Sequence, residues 1–114
     1  MNKLIQILLF ASVMCVGNAY GATAVARSGN DSVTISDTPC VSEKAISALP
    51  RAIAITRLPL KPSHLGQATV LVDGRVIPAC WVLIGDNVLI LDADNDETSI
   101  YPIPAAAFVA PAAI

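Results

Sequence analysis

The chain has 114 residues, of which 54% are hydrophobic, 14% are charged and 4% are aromatic. This length allows one domain, and the apolar content excludes disorder as the main state, because too much apolar surface would be left in water. Seven Lys and Arg against nine Asp and Glu give a net charge of -2. The chain therefore has no excess of basic residues that would form a positively charged surface, which argues against nucleic-acid binding.

Residues 1–21 have the three-part layout of a secretory signal peptide. Lys3 precedes an apolar run, residues 4–16, which is too short for a membrane span of ~20 residues. Small residues follow the run and place the predicted cleavage near residues 19–24. We therefore expect an exported chain with no stable membrane span after cleavage. An uncleaved anchor and a lipoprotein site at Cys15 are the alternatives.

Cleavage would remove Cys15 and leave two cysteines, Cys40 and Cys80. An even pair in an exported chain of this size predicts one disulfide in an oxidising compartment. The bond would close a loop of about 41 residues, which is worth roughly 4 kcal/mol in the chain-entropy model. The alternative, two thiols in a metal or redox site, lacks a nearby His and a Cys-x-x-Cys spacing.

The small, polar residues 22–37 predict a flexible leader before a single domain over residues 38–108. Within this leader, residues 32–36 are compatible with a short edge strand. The domain is predicted to begin with a short helix, because Thr38 is a suitable cap and Pro39 suits the first helical position.

The predicted helix carries Cys40 and ends at Pro50. Residues 53–58 are then compatible with a strand. Pro59 and Pro62 follow, and they favour an edge or an extended connection because they supply no backbone N–H.

The second half of the chain predicts a β-meander with a strand about every 10–12 residues. Asp73 and Gly74 form a two-residue hairpin signal, and Pro78 predicts a bulge or an edge position in the next strand. An acidic loop, residues 92–97, precedes the last strand. The predicted strands are residues 67–72, 75–84, 88–91 and 98–103.

Together these elements predict an α+β fold: a small antiparallel β-meander of three to five strands with one short N-terminal helix, tied to it by a disulfide between Cys40 and Cys80. The strands are apolar on both faces, whereas the strands of a sheet with one solvent-exposed face alternate apolar and polar residues. The uncharged residues 102–114, ending in an apolar tail over residues 109–114, are predicted to cover the second face. Self-association or partner binding through exposed apolar surface is the alternative.

Asp92, Asp94 and Asp96 are weak candidates for a divalent metal site, because carboxylates at alternate positions match the first ligands of a calcium loop. Glu97 stands where such a loop needs Gly, and Ile103 stands where it needs a late Glu. A solvated acidic turn is therefore the preferred interpretation, and no cofactor is predicted.

His64 is the only histidine, and it lies among prolines in a chain without a G-x-S-x-G nucleophile motif. The sequence also has no Gly-rich phosphate loop. No catalytic residue is therefore predicted, and a weak hydrolase using His64 with Asp92 or Asp94 is the least favoured interpretation.

Trp81 is the only tryptophan and follows Cys80 directly, so the two side chains point to opposite faces of a strand. Core packing is its preferred interpretation. In a chain so poor in aromatic residues, Trp81 is also the best candidate for a partner-binding residue, together with Tyr101 and Phe108.

Charge is distributed unevenly along the chain. Residues 22–65 carry five basic and three acidic side chains, whereas residues 66–114 carry one basic and six acidic side chains. The acidic end is compatible with steering of a basic partner and equally with a polar rim that has no function.

Several short motifs resemble small, signal-peptide-bearing proteins of tailed bacteriophages and prophages of Gram-negative bacteria. They are Val72-Asp73-Gly74-Arg75, Ala79-Cys80-Trp81-Val82, the valine-rich residues 88–91 with their acidic turn, and the finish Ile103-Pro104 with Phe108. The resemblance covers about residues 38–108. The finish here has one extra alanine, and the acidic turn lacks the Gly that often follows its carboxylates. The resemblance implies an origin and a compartment, the Gram-negative periplasm or the exterior, and no mechanism.

These observations predict an exported, non-enzymatic binding module, encoded by a phage or prophage, that acts on a periplasmic or envelope protein. Superinfection exclusion and inhibition of a wall hydrolase are the kinds of activity expected. The first alternative is a structural or assembly protein that self-associates into a homo-oligomer through its two-sided apolar strands. The weak hydrolase using His64 is the second.

Overall fold

The computed structural model describes residues 22–94 and 97–110, without the side chain of Asp94. The predicted signal peptide, Asp96 and residues 111–114 of the tail lie outside the described residues. The described strands form one antiparallel sheet in which each strand pairs with the next along the chain. They are β1 (Thr23–Ser28), β2 (Asp31–Pro39), β3 (Gly66–Val72), β4 (Arg75–Ile84), β5 (Asn87–Asp94) and β6 (Glu97–Pro104).

The connection between β2 and β3 holds the helical segments α1 (Glu43–Ile46) and α2 (Leu49–Thr56) and a short 3-10 turn (Pro62–His64). Ser42 caps α1, because its hydroxyl oxygen accepts a hydrogen bond from the Ala45 N–H at 3.3 Å. α1 and α2 pack on one face of the sheet, mainly through buried alanines. Among the described residues, no helix has the length and apolarity needed to cross a membrane.

The prediction of three to five strands is wrong, because the described sheet has six. The residues 22–37 expected as a flexible leader form β1 and most of β2. Their turn at Gly29, with φ 62°, joins two paired strands rather than interrupting a mobile segment. Val33 and Ile35 alternate with polar residues and are buried, which supplies the apolar face that β2 needs.

The prediction of an N-terminal helix that carries Cys40 and ends at Pro50 is also wrong. Pro39 is the last residue of β2, and Cys40 lies between that strand and α1. Pro50 stands in the first turn of α2, where proline is tolerated because the N–H it lacks would have no partner within the helix. Residues 53–58, expected as a strand, belong to α2 and the turn after it.

The predicted hairpin between β3 and β4 is confirmed. Asp73 and Gly74 both have left-handed backbone conformations, with φ 52° and 75°, as a two-residue turn of the favoured hairpin type requires. β4 covers the predicted residues 75–84. Pro78 lies just beyond Ala79, where the pairing of β4 with β5 ends, which is a position that tolerates a missing N–H.

The sheet separates two apolar layers. The helix-covered face packs α1 and α2 against side chains of β4 and β5. Its buried residues are Ala45, Ala48, Leu49, Ala52, Leu65, Cys80, Val82, Leu89, Leu91 and Ala93. We call the opposite side the inner face, and its buried residues are Val33, Ile35, Ala68, Val70, Ile77, Ala79, Val88, Ile90 and Ala105.

The C-terminal segment joins the two ends of the sheet. The Val25 N–H donates to the Val109 carbonyl at 2.8 Å, and the Val109 N–H donates to the Val25 carbonyl at 3.0 Å. Because Val25 belongs to the first strand and Val109 follows the last, the sheet must curl to make this pair. Phe108 and Ala105 pack against the inner face, so this part of the C-terminal segment covers its own sheet.

The predicted disulfide between Cys40 and Cys80 is confirmed, with a Cα–Cα distance of 5.5 Å. It joins the start of the β2–α1 connection to β4. The Cys40 N–H also donates to the Leu65 carbonyl at 3.0 Å. The helical connection is therefore fixed to the sheet at its beginning, and buried Leu65 packs at its end.

Removal of this disulfide is expected to lower the free energy of unfolding by about 2–5 kcal/mol, because the unfolded chain gains conformational entropy. The measurement is urea unfolding of the double variant Cys40→Ala/Cys80→Ala beside the original chain. Reductant should destabilise the original chain to a similar extent and leave the double variant unchanged. Equal stability of the two oxidised proteins would contradict the expectation.

Candidate functional site

A cavity of about 400 Å³ opens at one end of the inner face. The β1–β2 hairpin and the end of β3 form one wall, and β6 with the segment after it forms the other. This size lies within the range of ligand pockets. The lining residues are Ala26, Arg27, Ser28, Asp31, Ser32, Val33, Val70, Leu71, Val72, Tyr101, Ile103 and Ala107.

The cavity has an apolar floor and a polar rim. Val33 and Val70 are buried in its floor, and half-buried Ile103 adds to the same surface. Exposed Arg27 and half-buried Asp31 stand at the hairpin side. The arrangement suits an apolar group that leaves its polar atoms near the rim.

Tyr101 brings an oriented hydroxyl group to the cavity wall. Its hydroxyl donates to Asp92 Oδ2 at 2.9 Å, and Asp92 is only 6% exposed. The two residues are diagonal neighbours on paired strands, because Tyr101 stands opposite Ile90 and Asp92 stands opposite Ser99. Burial, followed by the hydrogen bond and the charge of Asp92, raises the pKa of Tyr101 above its ordinary value. The phenol is therefore held neutral.

Trp81 lies on the same face and is held by a backbone carbonyl. Its indole Nε1–H donates to the Ser36 oxygen at 2.7 Å. The pairing of β2 with β3 shifts register between Ile35 and Pro39, and the Ser36 carbonyl lies in this irregular stretch. The indole therefore reaches over β3 to β2 and links three strands.

Gly66 makes room for this indole. It stands opposite Trp81 in the pairing of β3 with β4. A Cβ atom at Gly66 would meet Nε1 of Trp81 and would lie 2.8 Å from its Cε2 and 2.9 Å from the Ser36 oxygen. The backbone of Gly66 is thus approached closely by a side chain, which is one of the structural uses of glycine in a strand.

The structure brings the three predicted partner-binding residues to one apolar layer. Trp81, Tyr101 and Phe108 are all half-buried and pack against the inner face. Tyr101 lines the cavity, whereas Trp81 and Phe108 are not among its lining residues. A role of these residues in partner binding stays a prediction.

The acidic stretch is more strand than loop. Asp92 and Asp94 belong to β5, and Glu97 begins β6, so the connection is shorter than the predicted loop of residues 92–97. Asp92 is buried beneath Tyr101, and Asp96 lies outside the described residues. Among the described residues, no group of three or more His, Cys, Asp or Glu is placed to hold a metal ion. A metal role for Asp92, Asp94 and Asp96 stays a prediction.

His64 lies in an exposed 3-10 turn. Its Nδ1 accepts a hydrogen bond from the Lys61 N–H at 3.1 Å, so the ring caps its own turn. Asp92, by contrast, lies on the inner face beside Tyr101. Within the described parts of the chain, no hydrogen bond joins these two residues, so the hydrolase interpretation gains no support.

Sequence reasoning proposed only Tyr101 among the lining residues as a site residue, because the hairpin wall, which is half of the lining, falls in the expected leader. Arg27, Asp31 and Val33 all lie there. The alternation of Val33 and Ile35 with Thr34 is the period-2 pattern of a half-buried strand, and the short edge strand expected over residues 32–36 lies within β2.

Comparison with known proteins assigns no relative to the chain. No family model, no curated protein and no solved structure matches it. The function is therefore inferred from the inner face and from the distribution of charge.

Gly66→Ala is expected to destabilise the protein by about 1–3 kcal/mol, because the new methyl group meets both the indole and a backbone oxygen. The measurement is urea unfolding followed by the fluorescence of Trp81, whose emission should shift to the red if the indole is displaced.

A double-mutant cycle provides the control. In a Trp81→Phe background, where the Nε1 atom is absent, Gly66→Ala should cost less than in the original chain. Unfolding of all four proteins is followed by far-UV circular dichroism, because the Trp81→Phe chains contain no tryptophan. An equal cost in both backgrounds would show that the indole does not impose the need for glycine.

Tyr101 is expected to remain protonated above pH 10.0, the ordinary tyrosine value. Because the folded-state pKa is raised, the resulting stabilisation is complete below the unfolded pKa and is lost as the pH rises above it towards the folded pKa. The measurement is the phenolate absorbance of the original chain minus that of Tyr101→Phe, which removes the signal of Tyr20.

Two further variants sharpen this test. Tyr101→Phe should show less loss of stability above pH 10 than the original chain. Asp92→Asn should lower the pKa of Tyr101 part of the way to its ordinary value, because the charge is removed while burial remains. A difference titration of the folded original chain centred near pH 10 would contradict the expectation.

Proposed function

We propose that the chain is an exported binding module whose inner-face cavity takes an apolar segment of a periplasmic or envelope protein. The observation that carries this proposal is the open cavity of about 400 Å³ at the end of an otherwise packed apolar layer. A volume of this order accommodates a few apolar side chains of a partner.

The rim of the cavity supports recognition of a polypeptide. Val25 pairs with Val109, but residues 105–107 then form a 3-10 turn, so the pairing is not continued to Arg27 among the described residues. The backbone of β1 at Arg27 is therefore not paired by this part of the segment, and it is the edge proposed to take an extended segment of the partner. Such a segment would pair with β1 and direct alternate side chains to the apolar floor.

The polar groups at the cavity would orient a bound segment. Tyr101 is oriented by its hydrogen bond to Asp92, so its hydroxyl oxygen remains available as an acceptor for a ligand N–H or O–H. Arg27 and Asp31 place one cation and one anion at the hairpin side. An apolar segment with flanking polar groups fits this distribution.

The proposed compartment and origin rest on the sequence. The signal-peptide layout of residues 1–21 supports export, and a disulfide fits an oxidising compartment such as the periplasm. The resemblance to small phage and prophage proteins of Gram-negative hosts supports a target in the envelope. Superinfection exclusion and inhibition of a wall hydrolase are the activities proposed.

The test is affinity capture of proteins from a Gram-negative envelope extract, followed by direct binding of the captured protein. Ala107→Trp should abolish binding, because exposed Ala107 lines the cavity and a large side chain there would fill it. Val76→Trp is the matched control, since Val76 is 69% exposed and does not line the cavity. It should bind like the original chain.

The neutral dye N-phenyl-1-naphthylamine tests the cavity without a partner. Its fluorescence should rise with the original chain and with Val76→Trp, and it should rise much less with Ala107→Trp. A partner that binds Ala107→Trp normally would exclude the cavity as its site. Recovery of the chain only as its own oligomer would favour self-association instead.

A further inference from the structure

The outward side of α2 is apolar, although it faces solvent. Pro50, Ile53, Ala54 and Ile55 are exposed there, with Ile55 62% exposed. Leu58, just after the helix, is 38% exposed. Isolated exposed apolar residues are ordinary, but Pro50, Ile53 and Ala54 are spaced i, i+3 and i+4 and form one apolar stripe along α2, which Arg51 separates from Ile55. No element among the described residues covers this stripe.

Cations flank this apolar patch. Arg57 and Lys61 follow α2 and are exposed, and Arg51 lies within it. Residues 44–72 contain no Asp or Glu, although the whole chain has more acidic than basic residues. The segment is therefore a local positive region on a protein of net charge -2.

The cations differ in how they are held. The Arg51 guanidinium donates to the Thr98 carbonyl at 3.1 Å and to its hydroxyl at 2.7 Å, and Glu97 is the neighbour of Thr98 in the chain. The Arg51 guanidinium is thus held by hydrogen bonds within the protein and contributes less to the charge that faces solvent. Arg57 and Lys61 lie beyond α2 and carry the outward charge.

We propose that the outward side of α2 and the following residues to Lys61 bind the surface of an anionic lipid bilayer. Apolar side chains flanked by Lys or Arg match the boundary between acyl chains and anionic headgroups. A bilayer matches both the exposed apolar side chains and the flanking cations, whereas an acidic polypeptide would match the cations alone. This surface lies on the helix-covered side, opposite the cavity.

The experiment is hydrogen exchange of the full chain with vesicles of phosphatidylglycerol and phosphatidylethanolamine. Residues 1–21 are apolar themselves, so total vesicle binding is not the readout. The expected result is slower exchange of backbone amides in residues 49–61 with anionic vesicles, no change with phosphatidylcholine vesicles, and weakening of the effect by salt.

Two variants test the residues. Arg57→Gln/Lys61→Gln should reduce the apparent affinity at residues 49–61 about 25-fold, taking about fivefold for each basic residue near an anionic surface. Ile55→Ser should also reduce it. Arg75→Gln and Val76→Ser are the matched controls, because both alter exposed residues that belong neither to this surface nor to the cavity, and they should leave the effect unchanged.

Unchanged exchange in residues 49–61 with anionic vesicles would overturn the proposal. The proposal would also be overturned if phosphatidylcholine vesicles slowed exchange in residues 49–61 as much as anionic vesicles do. The same holds if anionic vesicles protected the double variant as much as the original chain. Protection by poly-glutamate without protection by vesicles would assign the surface to an acidic polypeptide instead. The two proposals can fail separately. Ala107→Trp fills the cavity and leaves α2 unaltered, so it should abolish partner binding and keep the protection of residues 49–61 by anionic vesicles.

Discussion

The pair of hydrogen bonds between Val25 and Val109 closes the described sheet on itself, because it joins the first strand to the segment after the last. A meander of neighbouring strands would otherwise be open, with two apolar faces and only one set of helices to cover them. Bringing the C-terminal segment to β1 gives the second face its cover, through Ala105 and Phe108. Among the described residues, this closure involves one residue pair and leaves β1 unpaired by the segment at Arg27, where the cavity opens.

β4 couples the two layers that this closure creates. Cys80 points to the helix-covered face and is bonded to Cys40, while the next residue, Trp81, points to the inner face. The irregular pairing of β2 makes both contacts compatible, because it offers the Ser36 carbonyl to the indole and then leads to Cys40. One strand thus holds the helical connection on one side and orders the inner layer on the other.

The parts of the fold set by local chemistry were predictable from the sequence. Asp73 and Gly74 specify their hairpin, and the even cysteine pair implied the disulfide. The parts that depend on distant contacts were not. β1 and the ends of β2 were assigned to a leader, with only a short edge strand expected over residues 32–36, because pairing with β3 and with Val109 is what extends them. Likewise, Tyr101 was a candidate only as an aromatic residue, since its bond to Asp92 depends on strand register.

The closure at Val25 has a consequence for the mechanics of the molecule. Within the described residues, two backbone hydrogen bonds join Val25 to Val109, each with a net stabilisation of about 0.5–1.5 kcal/mol, whereas β1 and β2 pair over six residues. Apart from the packing of Phe108, this contact is therefore less costly to open than the pairing of those two strands. Opening there would free the β1 edge and uncover the inner layer without disturbing the disulfide on the other side. The disulfide therefore holds one side of the molecule together covalently, whereas the contact between Val25 and Val109 on the other side can open by local unfolding.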